Sequence, residues 1–125
     1  MPRLNVSSGS PYEGVIGFSR AVRVGDRIEV SGTAPIWPDG SVDPDPERQA
    51  ARCLEIIIAA LTKAGASPAH VIRTRTYLTD AGDWEAIARA HGRVFRGIRP
   101  ASTMVVVKGF LDERWKVEME VEAQL

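Results

Sequence analysis

Residues 117–122 alternate strictly between apolar and acidic positions, with Val117, Met119 and Val121 set against Glu118, Glu120 and Glu122. A period of two belongs to a β-strand, whose successive side chains point to opposite faces. Residues 71–78 behave alike: Val71, Arg73, Arg75 and Tyr77 share one face, and Ile72, Thr74, Thr76 and Leu78 the other. So do residues 27–31, where Ile28 and Val30 oppose Arg27, Glu29 and Ser31. Two further stretches carry the helical period instead. Leu54, Ile57, Ile58, Leu61 and Ala64 fall on one side of a helix, as do Trp84, Ile87, Ala88, His91 and Phe95.

Turn and cap residues bound these elements. Gly25-Asp26, between the runs 18–24 and 27–31, predicts a two-residue hairpin turn of type II′. The Pro-, Asp- and Gly-rich segment 36–46 predicts a loop. Asp45 and Pro46 then supply an N-cap and a first-turn proline for a helix that stops at Gly65. A strand follows over 70–79, rich in β-branched residues. Asp83 is the expected cap of a second helix ending near Gly97, and strands over 101–107 and 115–123 close the chain. The order strand, strand, helix, strand, helix, strand, strand predicts an α+β fold, a single sheet with two helices packed on one face. Neither a repeat nor a shift in composition divides the chain, so residues 1–125 are expected to form one domain.

The strand 103–107 is different. Thr103, Val105 and Val107 lie opposite Met104 and Val106, so both of its faces are largely apolar. A sheet with one side open to water does not usually carry such a strand. A covering partner is implied, most simply another copy of the chain. The face shared by Arg73 and Arg75 and the one shared by Glu118, Glu120 and Glu122 are either solvated or meet at such an assembly surface.

Composition narrows the function classes. Lys and Arg together number 16, as do Asp and Glu, giving a formal net charge of zero. A protein that neutralises nucleic-acid phosphates needs a basic surface, so nucleic acid is not an expected partner. The single cysteine, Cys53, sits beside Leu54 in the helical pattern and is expected to be a buried structural thiol in a reducing compartment. MPRLNVSSGS at the start has no apolar run of leader type, and the longest apolar run, residues 56–61, is far too short to span a bilayer. A cytoplasmic protein with no membrane partner is expected. His70 and His91 stand far apart and form no metal-ligand spacing, so no metal is expected. His91, on an apolar stripe, is expected to be a satisfied, partly buried imidazole.

RPASTMVVV at 99–107 and KVEMEVEA at 116–123, preceded in order by SGSPYE (8–13), VGDRIEVSGTAP (24–35), the AGAS and HVIRTRTYLTD block (64–80) and DWEAIARAHGRVF (83–95), resemble the Rid (YjgF, reactive-intermediate deaminase) family over nearly the whole chain. The resemblance implies a chorismate-mutase-like trimeric barrel with small-molecule clefts between subunits, and no cofactor. It places Glu120 in the cleft as the carboxylate that handles water, and Tyr12, Ser31 and Gly32 along the cleft wall. It also exposes departures. Ser102 stands where the family usually has arginine, Met104 where deaminating relatives often have cysteine, and Ala88 where some have asparagine. The arginine's physical task is a bidentate grip on a carboxylate, which a serine hydroxyl cannot supply. Arg20, Arg73 and Arg75 are the cations left to replace it if the fold brings one of them to the cleft.

The activity this implies is hydrolytic deamination of a small reactive imine or enamine at an inter-subunit cleft. Ser102 and Met104 are substrate-contacting positions in that reading. The alternative is a non-catalytic trimer that binds a small metabolite. An endoribonuclease is a third reading, against which the zero net charge and the lack of paired histidines weigh.

Overall fold

Asp45 opens the longest helix as its sequence predicts: its side chain accepts a hydrogen bond from Arg48 N, and Pro46 occupies the first turn of α2 (Pro46–Lys63). Gly65, with φ of +89°, ends that helix in the left-handed region, where glycine carries no Cβ penalty. The computed structural model describes residues 2–125. Six strands form one sheet in the order β1 (Arg3–Val6), β2 (Ala21–Val24), β3 (Arg27–Thr33), β6 (Val117–Gln124), β4 (Val71–Leu78), β5 (Ala101–Val106). Only the β4–β5 pair among them is parallel. The connection between those two strands runs through α3 (Trp84–Phe95). The predicted hairpin joins β2 to β3, with Gly25 at φ +60° and Asp26 outside the left-handed region, the pattern of a II′ turn.

Both long helices pack on one face of the sheet, giving the predicted α+β layering. Cys53, Leu54, Ile57 and Leu61 of α2 and Ile87, Ala90 and Phe95 of α3 are buried with Ile28, Val30, Leu78, Val117, Met119 and Val121. Each of the Val, Leu, Ile, Met and Phe side chains among them contributes about 1.5–3 kcal/mol when fully removed from water. Cys53 is fully buried, and burial pushes its thiol far above the ordinary range, which leaves it inert. Gln49 is buried too, and its amide bonds Asp43 O, Arg114 O and Lys116 N, fixing the start of α2 against the segment that leads into β6.

Besides two short 3-10 turns, at Pro68–His70 and Ala81–Asp83, a strand and a helix go beyond the prediction. β1 pairs with β2 at the sheet edge, and a one-and-a-half-turn helix, α1 (Pro11–Ile16), follows it. A capping box starts α1: Ser10 Oγ accepts from Tyr12 N, and Glu13 reaches back to Ser10 N. The signature Ser-x-x-Glu with an intervening proline was present in the sequence. Trp84, which the apolar stripe of the sequence would place against the core, is instead 54% exposed, because it sits in the first turn of α3, ahead of the packed positions Ile87, Ala90 and Phe95. Asp83 occupies the cap position, but its side chain makes no capping bond. Asp80 does the local work, accepting from Gly82 N in the 3-10 turn just before α3.

Candidate functional site

The sheet register is interrupted once between β3 and β6. Val30 pairs with Val121 but Thr33 pairs with Met119, so Ser31 and Gly32 together oppose Glu120. Such a bulge re-aims side chains and twists the strand away. After it, Thr33 is buried on the helix side, and the chain leaves the sheet beside Glu118. Gly32 is the close-approach point: a Cβ there would lie 3.3 Å from Glu118 Oε2. A cavity of about 440 Å³ opens at this place. Tyr12 and Ile16 of α1, Arg20, Gly32 and Trp115 are among the residues around it, with Glu118 at its charged end.

Arg20 is the unpaired cation of this cavity; Arg52 also lines it but is paired with Glu55. Arg20 is only 6% exposed, and its Nη1 donates to Gly32 O (2.7 Å) and Thr33 Oγ1 (3.0 Å). Its Nε is buried with no hydrogen-bond partner, and the guanidinium lies 5.3 Å from the Phe18 ring. Among the described residues it forms no ion pair within 4.0 Å. Burial lowers its pKa, while Glu13 and Glu118 act in the opposite sense. A guanidinium stays protonated in any case.

Glu118 is half-buried, and burial raises its carboxyl above the ordinary carboxylate range. Arg20 opposes that rise, and Glu120 adds to it. Its carboxylate takes no hydrogen bond from any other described residue. A carboxylate displaced towards neutrality, facing a cavity, and near a fixed positive charge can exchange a proton with a bound water or ligand.

The residues predicted for the site fall into separate groups. Tyr12 and Gly32 line the cavity; Tyr12 stands edge-on to Trp115 with centroids 6.2 Å apart. Ser31 does not line it, because its Oγ is turned to Ser19 O at 2.7 Å. Glu120 is also outside the lining: Tyr77 Oη donates to it at 2.5 Å, and Arg75 Nη1 lies 3.6 Å away on the open face of the sheet. The cavity carboxylate is therefore Glu118, one strand period before the residue predicted. Of the three cations left open, Arg20 reaches the cavity. Arg75 pairs with Glu122 across β4 and β6, and Arg73 Nη2 donates to Thr103 Oγ1. Arg75 and Glu122 thus meet within one chain.

Ser102 and Met104 lie elsewhere, on β5 at the far edge of the sheet, opposite Thr74 and Thr76. Ser102 is exposed and joins a chain of groups: Ser102 Oγ, Thr74 Oγ1 at 2.9 Å, and His91 Nε2 at 2.8 Å from Thr74. Burial lowers the His91 pKa and so favours neutral imidazole. Met104 is half-buried against the core. Val105 and Val106 remain 43% and 56% exposed on this edge strand.

Comparison with known proteins rests on nearly all of this architecture. Residues 11–125 match the family described as Endoribonuclease L-PSP. The chain belongs to the YjgF/L-PSP family. The protein SCO2049 of Streptomyces coelicolor is 41% identical over 94% of this chain and 89% of its own length. The RutC family protein PYRAB12510 of Pyrococcus abyssi is 34% identical over 85% of this chain and 84% of its own length. The crystal structure of Rv2704 from Mycobacterium tuberculosis, described as a member of the YjgF/YER057c/UK114 family, superposes with a TM-score of 0.92 at 38% identity, covering 99% of this chain and 100% of that one. As in its YjgF/L-PSP relatives, a single α+β sheet carries the chain. No helix among the described residues is long and apolar enough to cross a membrane.

Proposed function

We propose that this YjgF/L-PSP protein hydrolyses a small imine or enamine and releases ammonia, with Glu118 handling the proton of the attacking water. The observation that carries the reading is the half-buried Glu118 carboxylate, raised by burial, beside Gly32 in a cavity that also holds Arg20. In the reaction, water adds to the C=N carbon, and the carboxylate takes the proton that the water loses. Delivery of protons to nitrogen lets it leave as ammonia while the carbinol oxygen becomes the carbonyl. A carboxylate whose pKa is raised by burial suits both directions of transfer. A cytoplasmic setting agrees with a lone, buried, unreactive Cys53.

The active unit is a homotrimer in this proposal. The β5 edge of one copy, with Val105 and Val106 exposed, covers the cavity side of the next and brings Ser102 and Met104 opposite Glu118. That arrangement supports a use for every predicted substrate position except Ser31. The neutral Ser102 also favours a second reading, a trimer that binds a metabolite without turning it over.

The test is ammonia release from 2-iminopropionate, formed in situ from alanine by an amino-acid oxidase. Glu118→Gln should lower the rate about 10²-fold or more, in the range removed with a general acid-base group. Glu120→Gln should leave it within a few-fold of the unsubstituted protein. The reverse order would move the proton-handling role back to Glu120. No release by the unsubstituted protein, together with saturable pyruvate binding, would favour the metabolite-binding reading.

A further inference from the structure

In the single chain the cavity is larger and more apolar than a three-carbon imine requires. At about 440 Å³ it falls among cavities that enclose drug-sized ligands, roughly 300–1,000 Å³. Its two ends are chemically distinct. One end holds the charges without an ion-pair partner, Arg20 and Glu118, beside the bare backbone of Gly32; the other charged lining residue, Arg52, is paired with Glu55. The outer end is built from Trp37, Ile56, Leu111 and Trp115.

That apolar end is held in place by specific contacts. Trp37 lies beneath the Arg52 guanidinium, 4.1 Å from Cζ to the ring centroid, and Arg52 is itself fixed by a 3.0 Å bond from Nε to Ile36 O. A cation stacked on an indole stiffens both groups and leaves the rest of the ring surface for another contact. Trp115 is 4% exposed, and its indole N–H is buried with no partner, so it presents its ring without a satisfied polar handle. At the mouth, Leu111 is 73% and Trp37 40% exposed. Large apolar side chains at the rim of a concave site, with a buried and unpaired guanidinium at its base, mark a ligand with two ends.

We propose that the cavity selects a carboxylate ligand with an aromatic or branched-aliphatic body, the carboxylate directed to Arg20 and the body lying along Trp37, Trp115 and Leu111. Arg20 then supplies from the β2 side the charge that Ser102 does not supply from β5. This assignment rests on the cavity named above as the functional site, but not on its catalytic competence.

Binding of unreactive 2-oxo acids, which imitate imines in shape, tests it by calorimetry or tryptophan fluorescence. Phenylpyruvate should bind the purified protein at least about tenfold more tightly than pyruvate, and 3-phenylpropanol, which lacks the carboxylate, should bind at least about tenfold more weakly than phenylpyruvate. Leu111→Ser and Trp37→Ala, both at exposed positions, should reduce the ratio of phenylpyruvate to pyruvate affinity several-fold. Arg20→Lys keeps the charge but loses the planar fork. It should weaken both acids more than the alcohol, with its thermal melt recorded to establish that it folds.

Equal affinities for pyruvate and phenylpyruvate would overturn the proposal. So would a preference unchanged in both rim variants, or an alcohol that binds as well as the acid. A change of oligomeric state in Leu111→Ser, seen by light scattering, would assign the rim to a second copy of the chain and sink the ligand assignment. Ammonia release bears on a different question. Its failure removes the hydrolysis without touching these affinities, and loss of the phenylpyruvate preference with ammonia release intact removes only the present inference.

Discussion

The bulged junction of the central strands β3 and β6 and the β5 edge carry the two halves of the expected cleft, and they handle polarity in opposite ways. At the β3–β6 junction a bulge, a glycine and a departing chain make a cavity that partly buries two opposite charges, Arg20 and Glu118, without pairing them. At β5 the polar groups are neutral. Ser102, Thr74 and His91 satisfy one another in a row, while valines face outward. Burying an unpaired charge is costly and is kept where it serves a ligand; a hydroxyl–imidazole chain costs little and asks for nothing further. The contrast separates a region that holds buried charge without an ion pair from one whose polar groups satisfy one another beneath exposed valines.

The strongest way to break this comparison is to charge the β5 edge. Val106→Asp lies on an exposed position of β5, so the single chain should still fold. In an assembled interface, an unpaired carboxylate costs roughly 3–5 kcal/mol, the order seen when a buried pair loses a member. Sedimentation at micromolar protein should show about three chains for the unsubstituted protein, the stoichiometry the family resemblance implies, and fewer for the variant. A well-behaved monomer in both cases would show that β5 needs no partner.

A smaller effect sharpens the other half. The Glu118 pKa is raised in the folded state, so its protonated form is the favoured one. The stability this carries is present in full below the unfolded-state pKa and is lost as pH rises through the folded value. At neutral pH the ionised carboxylate is then a liability, and Glu118→Gln should melt a few degrees higher than the unsubstituted protein. About 1 kcal/mol moves Tm by roughly 4 °C in a domain of this size. The two melting temperatures should converge below about pH 4, where glutamate is protonated even when unfolded. A variant less stable at pH 7 would mean that Arg20 outweighs burial.

The smallest expected change in stability comes from Gly32→Ala. Its backbone is not left-handed, and the added Cβ would press on Glu118 Oε2, the end of a flexible side chain, at 3.3 Å. The fold should lose under about 0.5 kcal/mol, as at most exposed sites. Ammonia release should still fall several-fold, because the carboxylate must shift. An unchanged rate would show that Glu118 has room to spare.

Much of this was legible in the chain itself. Asp45-Pro46, Gly65 and Gly25-Asp26 marked their turns because cap and turn chemistry is local. The alternation in 71–78 and 117–122 gave both faces of the central strands. Trp84 misled because a helical stripe says which side is apolar, not where along the helix the packing begins. The site was harder to read. Glu118, Glu120 and Glu122 share one face and one period, so alternation cannot rank them; the bulge at Ser31–Gly32 and the end of β3 do, and both depend on pairing between distant segments. Arg20 was one of three open arginines, and its burial follows from the chain turning back on Gly32 and Thr33. Ser102 and Met104 were read as wall positions, and one chain alone does not bring them to the cavity.

Ser102 sits exposed on a strand hydrogen-bonded on one side only. Within the single chain, replacement there breaks one hydrogen bond from Thr74 Oγ1 and no ladder on a second side, so the chain's own fold constrains that position only weakly. Chemical identity at this spot can drift while the scaffold stays intact. A lineage can exchange a fixed charge for a hydroxyl, or the reverse, in single viable steps, and the same sheet can be carried from one substrate to another without passing through an unfolded ancestor.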